Sequence, residues 1–86
     1  MSFAFHSYVS CADTDGGMAL LDERRGKYFN LNPTAALIVR SLLRGSAPED
    51  AAAELAARYP ELSAQQAEAD VQAVLASLAT ARLVAS

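Results

Sequence analysis

Residues 22–45 read DERRGKYFNLNPTAALIVRSLLRG, and within them the hydrophobic period changes from strand to helix with almost no loop between. Lys27, Phe29 and Leu31 alternate with Tyr28 and Asn30, the period of a pleated strand with one buried face. Asn32 suits an N-cap and Pro33 the first helical position, so a helix opens where the strand closes. Ala35, Ile38 and Leu42 then fall at helical spacing, Leu37 and Val39 widen the stripe, and Gly45 ends it.

Upstream of this junction the chain reads as β-structure. Phe5, Ser7 and Val9 alternate with His6, Tyr8 and Ser10, which predicts a weak strand over residues 4–12. Asp13-Thr14-Asp15-Gly16-Gly17 is a turn, with aspartates to cap local donors and glycine to supply positive φ. Met18 to Leu21 is apolar and predicts a second strand over 17–22, and Glu23-Arg24-Arg25-Gly26 turns the chain into the third, 27–31. Two tight turns in series make an antiparallel meander.

Downstream the pattern is helical. The first helix covers 33–44. Pro48, with Glu49 and Asp50 at the positive helix end, opens a second over 48–59, striped by Ala52, Leu55, Ala56 and Tyr59 and stopped by Pro60. Ser63 caps a third over 63–82, and Gln66 completes a capping box. A three-stranded sheet and three one-striped helices must bury their apolar faces on each other. The expected fold is therefore a single α+β domain over residues 1–86, winged helix-turn-helix-like.

Composition narrows the function. The chain has 86 residues, 52% of them hydrophobic, and a net charge of −3. Such a chain is globular and long enough for one core, with roughly 60% of its surface buried on folding. Cys11 is the only cysteine, which suits a reducing cytoplasm. MSFAFHSYVS lacks the pattern of a signal peptide, and no apolar run reaches the length of a membrane span.

Catalytic sets are thin. His6 is the only histidine, and a strand through both His6 and Cys11 would put them on opposite faces. Asp13 and Asp15 begin like a calcium loop, but Met18 stands at the glycine position and Arg24 at the closing glutamate. No phosphate-binding glycine motif occurs. Neither an enzyme nor a metal or cofactor site is expected. A DNA-binding regulator would need Lys, Arg, Asn or Gln on a recognition helix. The third helix offers Gln65, Gln66 and Gln72 beside Glu68 and Asp70, with no basic residue before Arg82. Arg24, Arg25 and Lys27 form only a small basic turn.

Binding of a peptide remains. At about 100° per residue, Ala64, Leu75, Leu78 and Arg82 lie within about 40° of Val71 and form the core-facing side of the third helix. Ala67 and Val74 lie to one flank, with Asp70, Ser77 and Ala81 further round. Val74 reads either as core or, if the third strand is an edge beside this flank, as a groove wall. In the second case an extended peptide could add to the strand.

Gly17-Met18-Ala19-Leu20-Leu21-Asp22, Gly26-Lys27-Tyr28-Phe29-Asn30-Leu31-Asn32-Pro33-Thr34-Ala35-Ala36, Ala69-Asp70-Val71 and the closing Leu83-Val84 resemble the PqqD family, the recognition elements for ribosomally made precursor peptides. With its Asp-Thr-Asp-Gly-Gly and Leu-Asn-Pro-Thr, the chain is most similar to the free-standing recognition proteins of lasso-peptide biosynthesis. The resemblance implies binding of a precursor leader beside the third strand and against the third helix. It implies a partnership with a separate cysteine leader peptidase and with a macrolactam-forming cyclase. The site residues it implies are Lys27, Tyr28, Phe29, Asn30 and Leu31 on the strand, with Ala67, Asp70, Val71, Val74 and Ser77 on the helix. The alternatives are a PqqD-like chaperone for a radical or oxidative enzyme, a small DNA-binding regulator, and a scaffold whose edge strand pairs with itself.

Overall fold

The computed structural model describes residues 3–85. Three strands, β1 (Val9–Thr14), β2 (Gly17–Asp22) and β3 (Lys27–Leu31), precede three helices, α1 (Pro33–Leu43), α2 (Pro48–Arg58) and α3 (Ala64–Thr80). The strands form one antiparallel sheet in the order β1-β2-β3, so β3 has β2 on one side and an open edge on the other. This is the α+β meander-then-helices arrangement that the change of period predicts.

The junction at Asn32 works as its residue types require. The Asn32 side chain accepts from the Ala35 N–H at 2.9 Å and from the Thr34 hydroxyl at 3.0 Å, with Pro33 at the first helical position. At the start of α3 the Ser63 hydroxyl accepts from the Gln66 N–H at 3.0 Å, and the Gln66 side chain accepts from the Ser63 N–H at 2.9 Å. Both α1 and α3 end in the same two-bond motif. Ser46 N–H donates to Ser41 at the end of α1, and Leu83 N–H to Leu78 at the end of α3. The left-handed residue is Gly45 in the first case (φ 98°) and Arg82 in the second (φ 59°).

The amino-terminal segment departs from the expected strand over 4–12. A turn at Ser7 and Tyr8, closed by the Val9 N–H donating to His6 at 3.0 Å, separates Phe5 from β1. Phe5 instead bridges Val84, and His6 N–H donates to Leu83 at 3.0 Å. The reason is apolar: Phe3 and Phe5 pack edge to face, 5.4 Å apart, against the core. His6 and Cys11 thus share no strand. β1 in turn runs on to Thr14, because Asp15 and Gly16 alone make the turn, with Gly16 at φ 77°.

Two apolar clusters make up the interior, and α1 serves both. Ile38 and Leu42 meet Ala51, Ala52 and Leu55 of α2 and Ala67 and Val71 of α3. Ala36 and Val39 meet Met18 and Leu20 of β2, with Leu78 and Leu83. Gly17 fixes how closely β3 approaches β2 at its far end. A Cβ there would lie 2.1 Å from the Leu31 carbonyl oxygen, inside any permitted contact.

Candidate functional site

The direction of the main chain along β3 decides what its open edge offers. In an antiparallel sheet the N–H and C=O of one residue point to the same side, and successive residues alternate. Glu23 N–H donates to Tyr8 at 2.8 Å, toward β1, whereas the Asp22 carbonyl accepts from Gly26 at 2.7 Å, toward β3. In the register Asp22↔Lys27, Leu20↔Phe29 and Met18↔Leu31, these are therefore the pairs bonded to β2. The main-chain groups of Tyr28 and Asn30 are left pointing off the edge. Their side chains lie on the outer sheet face, where Tyr28 is 72% exposed, and Phe29 and Leu31 point to the helices.

Beside that edge lies a groove of about 440 Å³ between β3 and α3. Phe29, Asn30 and Leu31 form one wall, and Ala73, Val74, Ser77 and Ala81 the other. Leu78 and Leu83, both buried, and Ala35 line the rest. No Cα of α3 comes within 8 Å of β3, so the two walls stand apart. The spacing between paired strands, about 4.8 Å, and between packed layers, about 10 Å, leaves room there for one extended chain. Ser77 is the only side chain in the two walls, apart from Asn30, that carries a hydrogen-bonding group. The surface is small, apolar and bordered by unpaired backbone.

The structure brings five of the expected residues together here: Phe29, Asn30, Leu31, Val74 and Ser77. The other five lie outside the lining. Lys27 and Tyr28 are exposed at the start of β3, and Asp70 is half-buried. Ala67 and Val71 are 0% and 1% exposed, buried against Leu55 and Ile38. The physical reason is that α3 changes partner along its length. Its first half packs on α2, and only its last two turns flank the sheet. The groove stripe therefore runs Ala73, Val74, Ser77, Leu78, Ala81, later in the helix than the Ala67–Asp70 flank. Ala64 and Arg82, expected to face the core, are exposed: Ala64 is the first residue of α3, and Arg82 lies beyond its end in the left-handed conformation. The i, i+4, i+8 spacing of Ala73, Ser77 and Ala81, all small side chains, is the signal that could have located this wall from the sequence.

Residues with no role assigned by the sequence turn out to hold the β2–β3 turn. Asp22, 1% exposed, accepts the Arg24 and Arg25 N–H groups at 3.0 and 3.1 Å. The Arg24 guanidinium lies 4.2 Å over the Tyr8 ring, and the Tyr8 hydroxyl donates to the Arg82 carbonyl at 2.6 Å. Arg24 is thus a packing residue of the β2–β3 turn. Cys11 is an exposed free thiol on β1 whose pKa is raised by partial desolvation and by the neighbouring Asp13 carboxylate. Among the described residues, no helix is long and apolar enough to cross a membrane.

Known proteins share this fold. The structure described as lasso peptide synthetase B1 complexed with the leader peptide is 42% identical over 100% of both chains, with a TM-score of 0.91. TbiB1 in complex with the TbiA(beta) leader peptide is 27% identical over 98% of this chain and 94% of that one, with a TM-score of 0.84. No curated protein matches. Residues 17–84 match the model of coenzyme PQQ synthesis protein D, which spans β2 to the bridge strand at Val84 and so includes both groove walls. The chain belongs to the PqqD family.

Proposed function

We propose that the chain binds the leader segment of a ribosomally synthesised precursor peptide as a fourth strand on β3 and presents it to a lasso-peptide leader peptidase, with the macrolactam-forming cyclase acting on the trimmed product. One observation carries the reading. The open β3 edge borders an apolar groove of about 440 Å³, in a chain 42% identical along its whole length to a protein whose structure holds a leader peptide.

The physics is strand addition. Tyr28 and Asn30 each offer one N–H and one C=O, and each main-chain bond contributes about 0.5–1.5 kcal/mol net. Those bonds set direction but not sequence. Selectivity comes from alternate side chains of the bound strand, which enter between Phe29 or Leu31 and the small residues of α3. No catalytic group is required of this chain. Holding the leader raises the effective concentration of the cleavage site at the partner enzyme. The acidic groups of the second and third helices disfavour a phosphate backbone, and the setting is the cytoplasm, where the precursor is made.

The test is a fluorescence-anisotropy titration with labelled leader from the protein's own gene cluster, against scrambled leader and duplex DNA. Saturable binding to the native leader alone supports the proposal. Binding to DNA alone, or equal binding to the scrambled sequence, rejects it.

A further inference from the structure

A second cleft, of about 400 Å³, lies on the opposite side of the start of α1 from the groove, and its chemistry is different. Three of the chain's seven basic residues, Arg40, Arg44 and Arg58, line it, in a protein of net charge −3. Two of the guanidinium groups are held in place by bonds to a single nitrogen. Arg40 Nη2 donates to Asp13 at 2.8 Å and to the Gly17 carbonyl at 3.0 Å. Arg44 Nη2 donates to the two Glu54 oxygens at 2.9 and 3.1 Å. Among the described residues, Nη1 and Nε of both are unengaged, and Arg58 makes no ion pair. Between them Leu37 and Tyr59, both half-buried, give an apolar floor.

An arginine has five N–H donors in a fixed fork, and a fork already oriented by one contact loses little freedom on binding a second carboxylate. We infer that this cleft is a docking site for a short acidic segment of a partner protein, with carboxylates on either side of one aliphatic residue. The carboxylates take the free donors of Arg44 and Arg58, and the aliphatic side chain covers Leu37 and Tyr59. Charge complementarity selects this occupant: three guanidinium groups against the two carboxylates of Asp13 and Glu54 leave the cleft net positive on an acidic chain, Arg58 is its cation without an ion pair among the described residues, and the floor is apolar. Because the groove residues Val74 and Ser77 take no part, the cleft can be filled with or without a strand on β3.

The experiment is an NMR titration of the full chain with the acetylated, amidated tripeptide glutamate–leucine–glutamate. Its glutamine–leucine–glutamine counterpart and succinate serve as comparisons. Saturable shifts at the Arg44 and Arg58 side chains and at Leu37 and Tyr59 are expected. Arg58→Glu should weaken them at least tenfold, and Val74→Glu should leave them unchanged. Equal binding of the glutamine peptide would overturn the charge argument, and equal binding of succinate the apolar floor. The same loss from Arg82→Glu, outside the cleft, would reduce the effect to net charge, and the absence of saturable shifts would remove the site.

Discussion

Replacing Val74 by glutamate separates a groove wall from a core residue. Val74 is half-buried, at the margin of both apolar clusters, and its remaining surface faces the groove. A strand covering that surface gains about 1 kcal/mol, roughly half the value of burying a whole valine side chain. In the free protein a glutamate there reaches water through the open groove. A bound strand would cover it, and burying a charge without a partner costs at least about 2 kcal/mol at such a partly open site. The sum, about 3 kcal/mol, corresponds to a roughly 150-fold weaker Kd, and Val74→Ala, which loses only the apolar part, to about fivefold. Leu43→Glu, at an exposed apolar position outside the groove lining, adds the same charge and should leave the affinity unchanged. The assay is the anisotropy titration, with far-UV circular dichroism to show that each variant is folded. A folded Val74→Glu variant that binds within threefold of the parent would refute the reasoning, because the helix wall would then take no part.

Three further outcomes follow from particular contacts. Gly17→Ala drives a Cβ into the Leu31 carbonyl and should destabilise the fold by roughly 2 kcal/mol or more in urea unfolding; an unchanged midpoint would mean that β3 can shift without penalty. Arg82 is left-handed at a position where α1 uses glycine, so Arg82→Gly should stabilise the protein by about 0.5–1 kcal/mol and raise Tm by several degrees. A lower Tm would show that the arginine side chain contributes more than its backbone strain removes. The raised pKa of Cys11 leaves less thiolate at pH 8 in the folded chain than in the unfolded one. Iodoacetamide should therefore react more slowly with the native protein than with the protein in urea, and an equal or faster native rate contradicts the shift.

Much of this fold is legible because local signals agree with each other. Asn32-Pro33 marks strand end and helix start at one place, Ser63 and Gln66 cap each other across three residues, and Gly16 and Gly26 sit where turns need positive φ. What the sequence hides depends on partners distant along the chain. Phe5 alternates like a strand residue, yet it pairs with Val84, because Phe3 and Phe5 find apolar surface at the carboxyl-terminal end. The groove wall is half legible for a similar reason. Periodicity gives the faces of α3 but not the point along its length where its partner changes from α2 to the sheet. Val74 and Ser77 lie beyond that point and face the groove, whereas Ala67 and Val71 lie before it and are core. The residues of β3 are legible as a segment, but only the register with β2 shows which of them have free backbone. The stacking of Arg24 is hidden for the same reason, since its guanidinium lies over Tyr8, sixteen residues earlier in the chain.

Amide hydrogen exchange along β3, with and without the leader peptide, tests the central claim most directly. Phe29 and Leu31 are bonded to β2 in the free protein and should be protected in both states. Tyr28 and Asn30 point off the edge, exchange freely alone, and should become protected when the leader adds as a strand. Protection gained at Tyr28 and Asn30, with β1 unchanged, is the predicted result. Saturating leader with no change at these two amides, or with protection appearing along β1, would contradict strand addition at this edge.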